Sequence, residues 1–132
     1  MPQPTRFWRF SYDSDESLAE MVESGSLTIP TTGARSVKYD PEACVATRIK
    51  AGDGIFLGKL DPDLGVGRIV AIGIVRNAKP VTSVSWKQIR RNVYPNPQGG
   101  LAAWRERCFL FNAGPVDRYN LAGEFLHHFP DT

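Results

Sequence analysis

The chain reads as an α+β fold, a small mixed or antiparallel β-barrel flanked by short helices. Three observations predict this. Twelve glycines and ten prolines in 132 residues supply turns at a density that suits short strands better than a helical bundle. Two apolar runs, near Gly54–Leu60 and Arg68–Val75, flank Asp61-Pro62-Asp63-Leu64-Gly65, a strong turn signal. Segments with helical spacing are few and short, the clearest running from Asp13 to Gly25.

Taken in order, Phe7-Trp8-Arg9-Phe10 alternates as a strand, with Phe7 and Arg9 on one face and Trp8 and Phe10 on the other. Asp13 is the expected cap of the first helix, with Glu16 as its capping-box partner. Leu18, Met21 and Val22 follow at helical spacing, and Gly25 gives a left-handed stop. A brief strand is expected at Ser26-Leu27-Thr28-Ile29, then a loop. Asp40-Pro41 starts a second helix, with Val45 and Ile49 on one face and Arg48 and Lys50 in its last turn. The Gly52-Asp53-Gly54 turn leads into the two apolar strands, and Asp53 is placed to bond its own backbone there.

Beyond Pro80 the signals mix. Ser85-Trp86-Lys87-Gln88 reads as helix start or strand, Pro95–Gly100 as loop, Leu101–Glu106 as a helical turn and Cys108–Asn112 as strand. Tyr119-Asn120-Leu121 is a candidate strand pairing, and Leu121–His128 a closing helix. No repeat or linker divides residues 1–132, which form one domain.

Sixteen basic and 14 acidic residues leave a formal net charge of +2, too small by itself to demand a polyanionic partner. The distribution is uneven. Asp13–Glu23 carries five carboxylates and no base, whereas Lys87, Arg90, Arg91, Arg105 and Arg107 share one stretch with only Glu106. Cys44 and Cys108 sit among apolar neighbours and are read as buried free thiols. Residues 1–6 lack the apolar core of a signal peptide, and no apolar run approaches the roughly 20 residues needed to span a bilayer. A cytoplasmic protein without a membrane partner is expected.

The chemistry-bearing residues fall into two sets. Trp8, Trp86 and Trp104 with Tyr39 and Tyr94 offer rings on which a base can stack. Arg90, Arg91, Lys87 and Arg105 offer cations, whose guanidinium forks match phosphate and guanine edges. Each set has a plainer reading, as core filling and as a solvated face. His127 and His128 are adjacent and point apart, so they do not make a metal pair. No nucleophile elbow, phosphate loop or dinucleotide motif is present in the sequence, so no metal or cofactor is expected.

On Phe7-Trp8-Arg9-Phe10-Ser11, Lys50-Ala51-Gly52-Asp53-Gly54-Ile55-Phe56-Leu57 and Arg68-Ile69-Val70-Ala71-Ile72-Gly73-Ile74-Val75, the chain resembles the EVE domains of the PUA-like superfamily, relatives of YTH and ASCH domains. The match covers roughly the first 75 residues. It implies a PUA-like pseudobarrel whose pocket takes a flipped, modified base of DNA or RNA, in some cases serving an effector nuclease encoded nearby. Two departures touch the expected pocket. The family's Gly-Val-Arg-Asn-Tyr segment has only a degenerate counterpart in Gly33–Tyr39, and its Lys-Ser-Glu-Pro is replaced by Arg9-Phe10-Ser11-Tyr12.

The leading expectation is therefore a non-catalytic module that recognises a modified base. Trp8 and Trp86 are the stacking candidates, with Tyr39 beside them, and Ser11 and Asn92 would read polar edges. Arg35, Lys38, Lys87, Arg90 and Arg91 would hold phosphates. The alternatives are an ASCH-like hydrolase of a modified nucleoside, using Lys59 or Lys38 with Glu42 or Asp53, and a protein-interaction module docking through the acidic helix 14–24.

Overall fold

The computed structural model describes residues 3–34, 38–61, 63, 65–78, 80–89 and 103–130. Strand β1 (Phe7–Phe10) is followed by helix α1 (Asp15–Ser24) and by α2 (Pro41–Ala43), which continues as a π turn over Cys44–Arg48. Then come β2 (Gly54–Asp61), β3 (Val66–Asn77), β4 (Ser83–Gln88), β5 (Cys108–Leu110), α3 (Ala113–Arg118) and α4 (Leu121–His128). The strands form one mixed sheet in the order β4-β3-β2-β1-β5. The β1–β2 pair is parallel, its crossover carrying α1 and α2, and the other pairs are antiparallel. Among the described residues β4 and β5 are open edges, so the fold is α+β with an unclosed five-stranded sheet.

The alternation expected of β1 appears in its packing. Phe7 meets Phe56 and Phe125 on one face, while Trp8 meets Tyr39 edge-on at 6.0 Å on the other. The register places Trp86, Gly73, Ile55, Trp8 and Leu110 in one row across the sheet, so their side chains share a face. Cys44, Val45 and Ile49 of the crossover are buried, as is Met21 of α1. Both cysteines are free and buried. Burial and a hydrogen bond to Cys44 push the Cys108 thiol up, the bond being the larger cause.

Several local expectations need correction. Ser14, not Asp13, caps α1, its side chain accepting from Ser17 N at 3.1 Å. Asp13 instead binds Thr31 and Thr32. Residues 26–29 form no strand, their polar groups serving other elements: Trp86 Nε1 donates to Ser26 O at 2.7 Å. The mixed signals around Ser85 resolve as strand β4, whose Val84 is buried against the core. Tyr119 and Asn120 form a turn, not a strand: Asn120 takes a left-handed φ of 48° and caps α4 at Gly123 N. The second helix is not α-helical throughout, since Ile49 N donates to Cys44 O at 3.0 Å, five residues back. Residues 90–102 and 35–37 lie outside the described residues, and with them the expected loop at 95–100.

Two nodes fix the central strands. In the first, Asp53 is buried and accepts at Oδ2 from Trp8 Nε1 at 3.0 Å and from Lys50 N at 2.9 Å. Its backbone pairs with Val75 while Gly52 N donates to Val75 O, so the turn ties β1, β2 and β3 together. Gly52 has φ +90°, and a Cβ on Gly54 would lie 2.6 Å from the Phe125 ring. Each glycine here therefore has its own steric reason.

Arg9 is the second node. Its side chain is fully buried, yet it meets no carboxylate among the described residues. Nη1 donates to Gly58 O at 3.3 Å, and Nη2 to the carbonyls of Ala103 (2.9 Å), Trp104 (3.3 Å) and Glu106 (2.7 Å). The guanidinium lies 5.0 Å from the Trp104 ring and 4.6 Å from the Phe109 ring, positions that favour a cation. Burial lowers its pKa to about 9, with Cys108 and Glu106 pulling the other way, so at neutral pH the core holds a positive charge. Arg9→Met keeps the bulk of the side chain but removes a donor from these carbonyls, of which Ala103 O still accepts from Glu106 N; a buried acceptor left unpaired costs about 1–3 kcal/mol. The expected loss in unfolding free energy is about 2–5 kcal/mol, read from urea denaturation. Arg9→Lys restores only part of it, because an ammonium lacks the planar fork.

Candidate functional site

Where β1 ends, the chain runs on through Ser11 and Tyr12 into the first helix cap. Ser11 N donates to Arg107 O at 2.9 Å, while Arg107 N donates to Ala34 O at 3.1 Å. The 103–107 turn is thereby stitched between β1 and the 31–34 loop. Beside it lie two adjoining hollows of about 220 and 190 Å³, which share Tyr12, Lys59 and Leu60. The first is completed by Asp61, Arg68 and Val70, the second by Ser11, Thr32, Gly33, Trp104, Arg105 and Glu106. Each lies below the roughly 300–1,000 Å³ range of small-ligand sites.

The groove carries three cations, Lys59, Arg68 and Arg105, against the carboxylates of Asp61 and Glu106. Lys59 on β2 and Arg68 on β3 are direct partners across the hairpin, and both are exposed. Like charges directly opposite one another destabilise a sheet. Next to this pair β3 carries one extra residue, Val70, since Leu57 pairs with Ala71 but Gly58 with Ile69. Lys59 Nζ stands 4.3 Å from the Tyr12 ring centroid. Burial, and secondarily Asp15, raise the Tyr12 phenol above its ordinary value, so it is neutral and able to donate at pH 7.

Arg9 supports this site from behind. The carbonyls it binds belong to Ala103, Trp104 and Glu106, and Trp104 and Glu106 also line the groove. A Cβ on Gly67 would fall 1.9 Å from the Trp104 ring, so only glycine lets that ring lie flat on β3. Trp104 is therefore a wall of the core and not a free stacking surface.

The expected site residues fall in different places. Ser11 lines the groove, its hydroxyl donating to Arg107 O at 3.3 Å. Trp8 and Tyr39 pack together at the opposite end of β1 and are closed to solvent, at 0% and 5% exposure. Trp86 is half-buried on β4, three strands from β1 in the sheet, over Gly73, and no ring contact among the described residues joins it to Trp8. Trp8, Tyr39 and Trp86 thus form no open cage. Lys38 stands over Tyr39 at 5.5 Å, whereas Lys87 lies on the other face, 5.2 Å from Phe129. Arg35, Arg90, Arg91 and Asn92 lie outside the described residues.

Of the residues considered for hydrolysis, only Lys59 is in the groove. Asp53 is buried at the far end of β2 with Trp8, and Glu42 is exposed on α2. Sequence reasoning missed Tyr12, Arg68 and Glu106 as site residues, and took Arg105 only as one of a cationic cluster. One signal was available: a hairpin turning at 61–65 sets Lys59 opposite Arg68, and two cations facing each other ask for an explanation.

The 31–34 wall of the groove depends on Asp13. Its carboxylate accepts from the N–H and hydroxyl groups of both Thr31 and Thr32. These bonds, led by the Thr32 N–H, hold its pKa down to about 2. Since the folded value lies below the unfolded one, the resulting stabilisation is present above about pH 4 and is lost as pH falls through about 2. Proton-coupled NMR is expected to show the Asp13 carboxyl titrating near 2, with the Thr31 and Thr32 amide shifts moving in step. Asp13→Ala removes that transition. No family model, curated protein or solved structure matches the chain.

Proposed function

We propose that the chain is a non-catalytic nucleic-acid binding module that accepts an extruded, modified base of DNA or RNA in the Tyr12–Lys59 groove. The supporting observation is the Lys59–Arg68 pair facing across the hairpin at the mouth of a hollow floored by Tyr12. A bound phosphate or electron-rich base edge relieves the repulsion of that pair. Ser11 and the Tyr12 hydroxyl offer polar contacts to a base. Arg105 extends the cationic rim.

In this reading neither Trp8 nor Trp86 stacks on the base, and Tyr12, 6% exposed beneath Lys59, contributes its hydroxyl. Ser11 keeps its place as a polar reader, and Lys38 remains a phosphate contact away from the groove. The fold would be of the PUA-like, EVE type. The Val70 bulge and the bridge between Ala34 and Glu106 support it as devices that bend a sheet and extend its edge. An effector nuclease encoded nearby remains the partner that this reading implies.

One observation bears on the hydrolytic alternative: Lys59 and Asp61 line the same hollow. Lys59, however, is exposed and stands on Tyr12, without the burial that a lysine base needs. Binding is the better-supported reading.

Titration against short oligonucleotides that differ in one modified base tests it. Tyr12→Phe is expected to weaken binding of the preferred modification about 2- to 12-fold, the equivalent of about 0.5–1.5 kcal/mol for one hydrogen bond, and Tyr12→Ala at least as much. Lys59→Ala should weaken all sequences alike. Equal affinity for modified and plain oligonucleotides, with no response to salt, would overturn the proposal. Release of a product from acylated nucleosides would move it to the hydrolytic reading.

A further inference from the structure

At the other end of the β1–β2 pair, the buried rings of Trp8 and Tyr39 are roofed by cations. The Arg6 guanidinium lies 5.3 Å from the Trp8 ring, and that of Arg48 lies 5.6 Å from Trp8 and 4.9 Å from Tyr39. Lys38 Nζ is 5.5 Å from Tyr39, and Lys50 is exposed next to the same turn. The two arginines are held mainly by neutral groups. Arg6 Nη2 donates to Arg48 O at 3.3 Å, and Arg48 Nη1 to Lys38 O at 3.2 Å. The carboxylate that Arg6 meets is the buried Asp53, at 3.8 Å from Nε. Asp53 also accepts from Trp8 and Lys50, and its single negative charge is set against Arg6, Lys38, Arg48 and Lys50.

Rings and carbonyls fix the planes of these guanidiniums, and Asp53 balances one charge of the patch and leaves the rest in excess. Each fork has five N–H groups, of which the contacts above use only part. Preorganised, outward-facing and positive, the pair suits a phosphodiester better than a carboxylate side chain, since a backbone phosphate presents several oxygens to both forks at once. The position fits as well. Ile55, Leu57 and Lys59 alternate on the face of β2 that carries Trp8's row, so the patch and the Lys59 rim of the groove lie on the same side of the sheet, while Trp104 lines the groove from the Arg9 side. Gly54 and Lys59 mark their separation, roughly 17 Å at about 3.3 Å per residue. A nucleic-acid strand covers that span in about five steps of about 3.4 Å.

We infer that Arg6 and Arg48 form a phosphate clamp that grips the backbone of the nucleic acid several nucleotides away from the base held in the groove. This extends the proposed function by assigning a backbone contact to two residues outside the groove.

The test measures affinity as a function of salt for a short single-stranded oligonucleotide and for the same strand made abasic. With the clamp, the wild-type protein binds both strands. Arg48→Gln then lowers the slope of log K against log salt by about 0.7, the value of one phosphate contact on a single strand, and Arg6→Gln does likewise. Arg48→Lys keeps most of the slope, which separates lost charge from disturbed folding, and circular dichroism checks each variant. Unchanged slopes in both glutamine variants would overturn the clamp, as would an abasic strand that fails to bind while the base-bearing one binds. In either case the groove reading stands if Tyr12→Ala still weakens base-bearing strands. Abasic binding that depends on Arg48, with no effect of Tyr12→Ala, keeps the clamp and removes the groove. Absence of binding to both strands at low salt removes both.

Discussion

A buried positive charge that meets no carboxylate among the described residues sits at the centre of this fold. Taking a guanidinium out of water costs several kcal/mol unless its donors are satisfied. Arg9 meets that cost with the carbonyls of Gly58, Ala103, Trp104 and Glu106 and with the faces of Trp104 and Phe109. Those acceptors come from the middle of β2 and from a turn almost a hundred residues away in sequence. One side chain thereby joins the sheet to the segment that walls the groove. Its Nε remains buried with no partner among the described residues, so the arrangement is tight without being fully satisfied. The partners are carbonyl dipoles, which do not cancel charge as a carboxylate does, so the field of Arg9 persists behind the groove.

Cations over rings recur across the molecule. Arg6, Lys38, Arg48, Lys59 and Lys87 each stand within 6 Å of an aromatic ring. Aromatic side chains close to the surface are thus covered by long basic ones, whose stems lie on apolar surface while their heads reach water. A net charge of +2 conceals this arrangement. Asp15, Glu16, Glu20 and Glu23 gather on α1, while Arg6, Lys38, Arg48 and Lys50 lie at one end of the β1–β2 pair and Lys59, Arg68 and Arg105 at the other. Charge placement, not total charge, is what gives the molecule its candidate surfaces.

What the sequence made legible was local. The hairpin of β2 and β3, the left-handed Gly25, the Pro41 helix start and the alternation of Phe7 to Phe10 each follow from rules acting over a few residues, and each is present. The role of Asp13 was misread because Asp13 and Ser14 are both good caps, and the choice turned on Thr31 and Thr32, far along the chain. The same limit explains the site. Trp8 is a good stacking residue by type, but the edge of Tyr39 and the roof of Arg6 and Arg48 remove it from solvent. Tyr12 drew no attention because nothing local places Lys59 above it. Gly52-Asp53-Gly54 was recognisable as a turn, whereas its bond to Trp8 joins residues 45 apart in sequence.

The π turn at Cys44–Arg48 carries a further consequence, one of winding. An α-helix advances about 100° per residue, and a π turn holds one residue more than the α-helical path requires. With a residue removed between Cys44 and Arg48, the segment closes as ordinary α-helix. Each later position then projects about 100° further round the axis, and the guanidinium at its end swings off the Trp8 and Tyr39 rings. The extra residue thus acts as an angular spacer: the length of this one turn sets the direction in which the chain aims its charge.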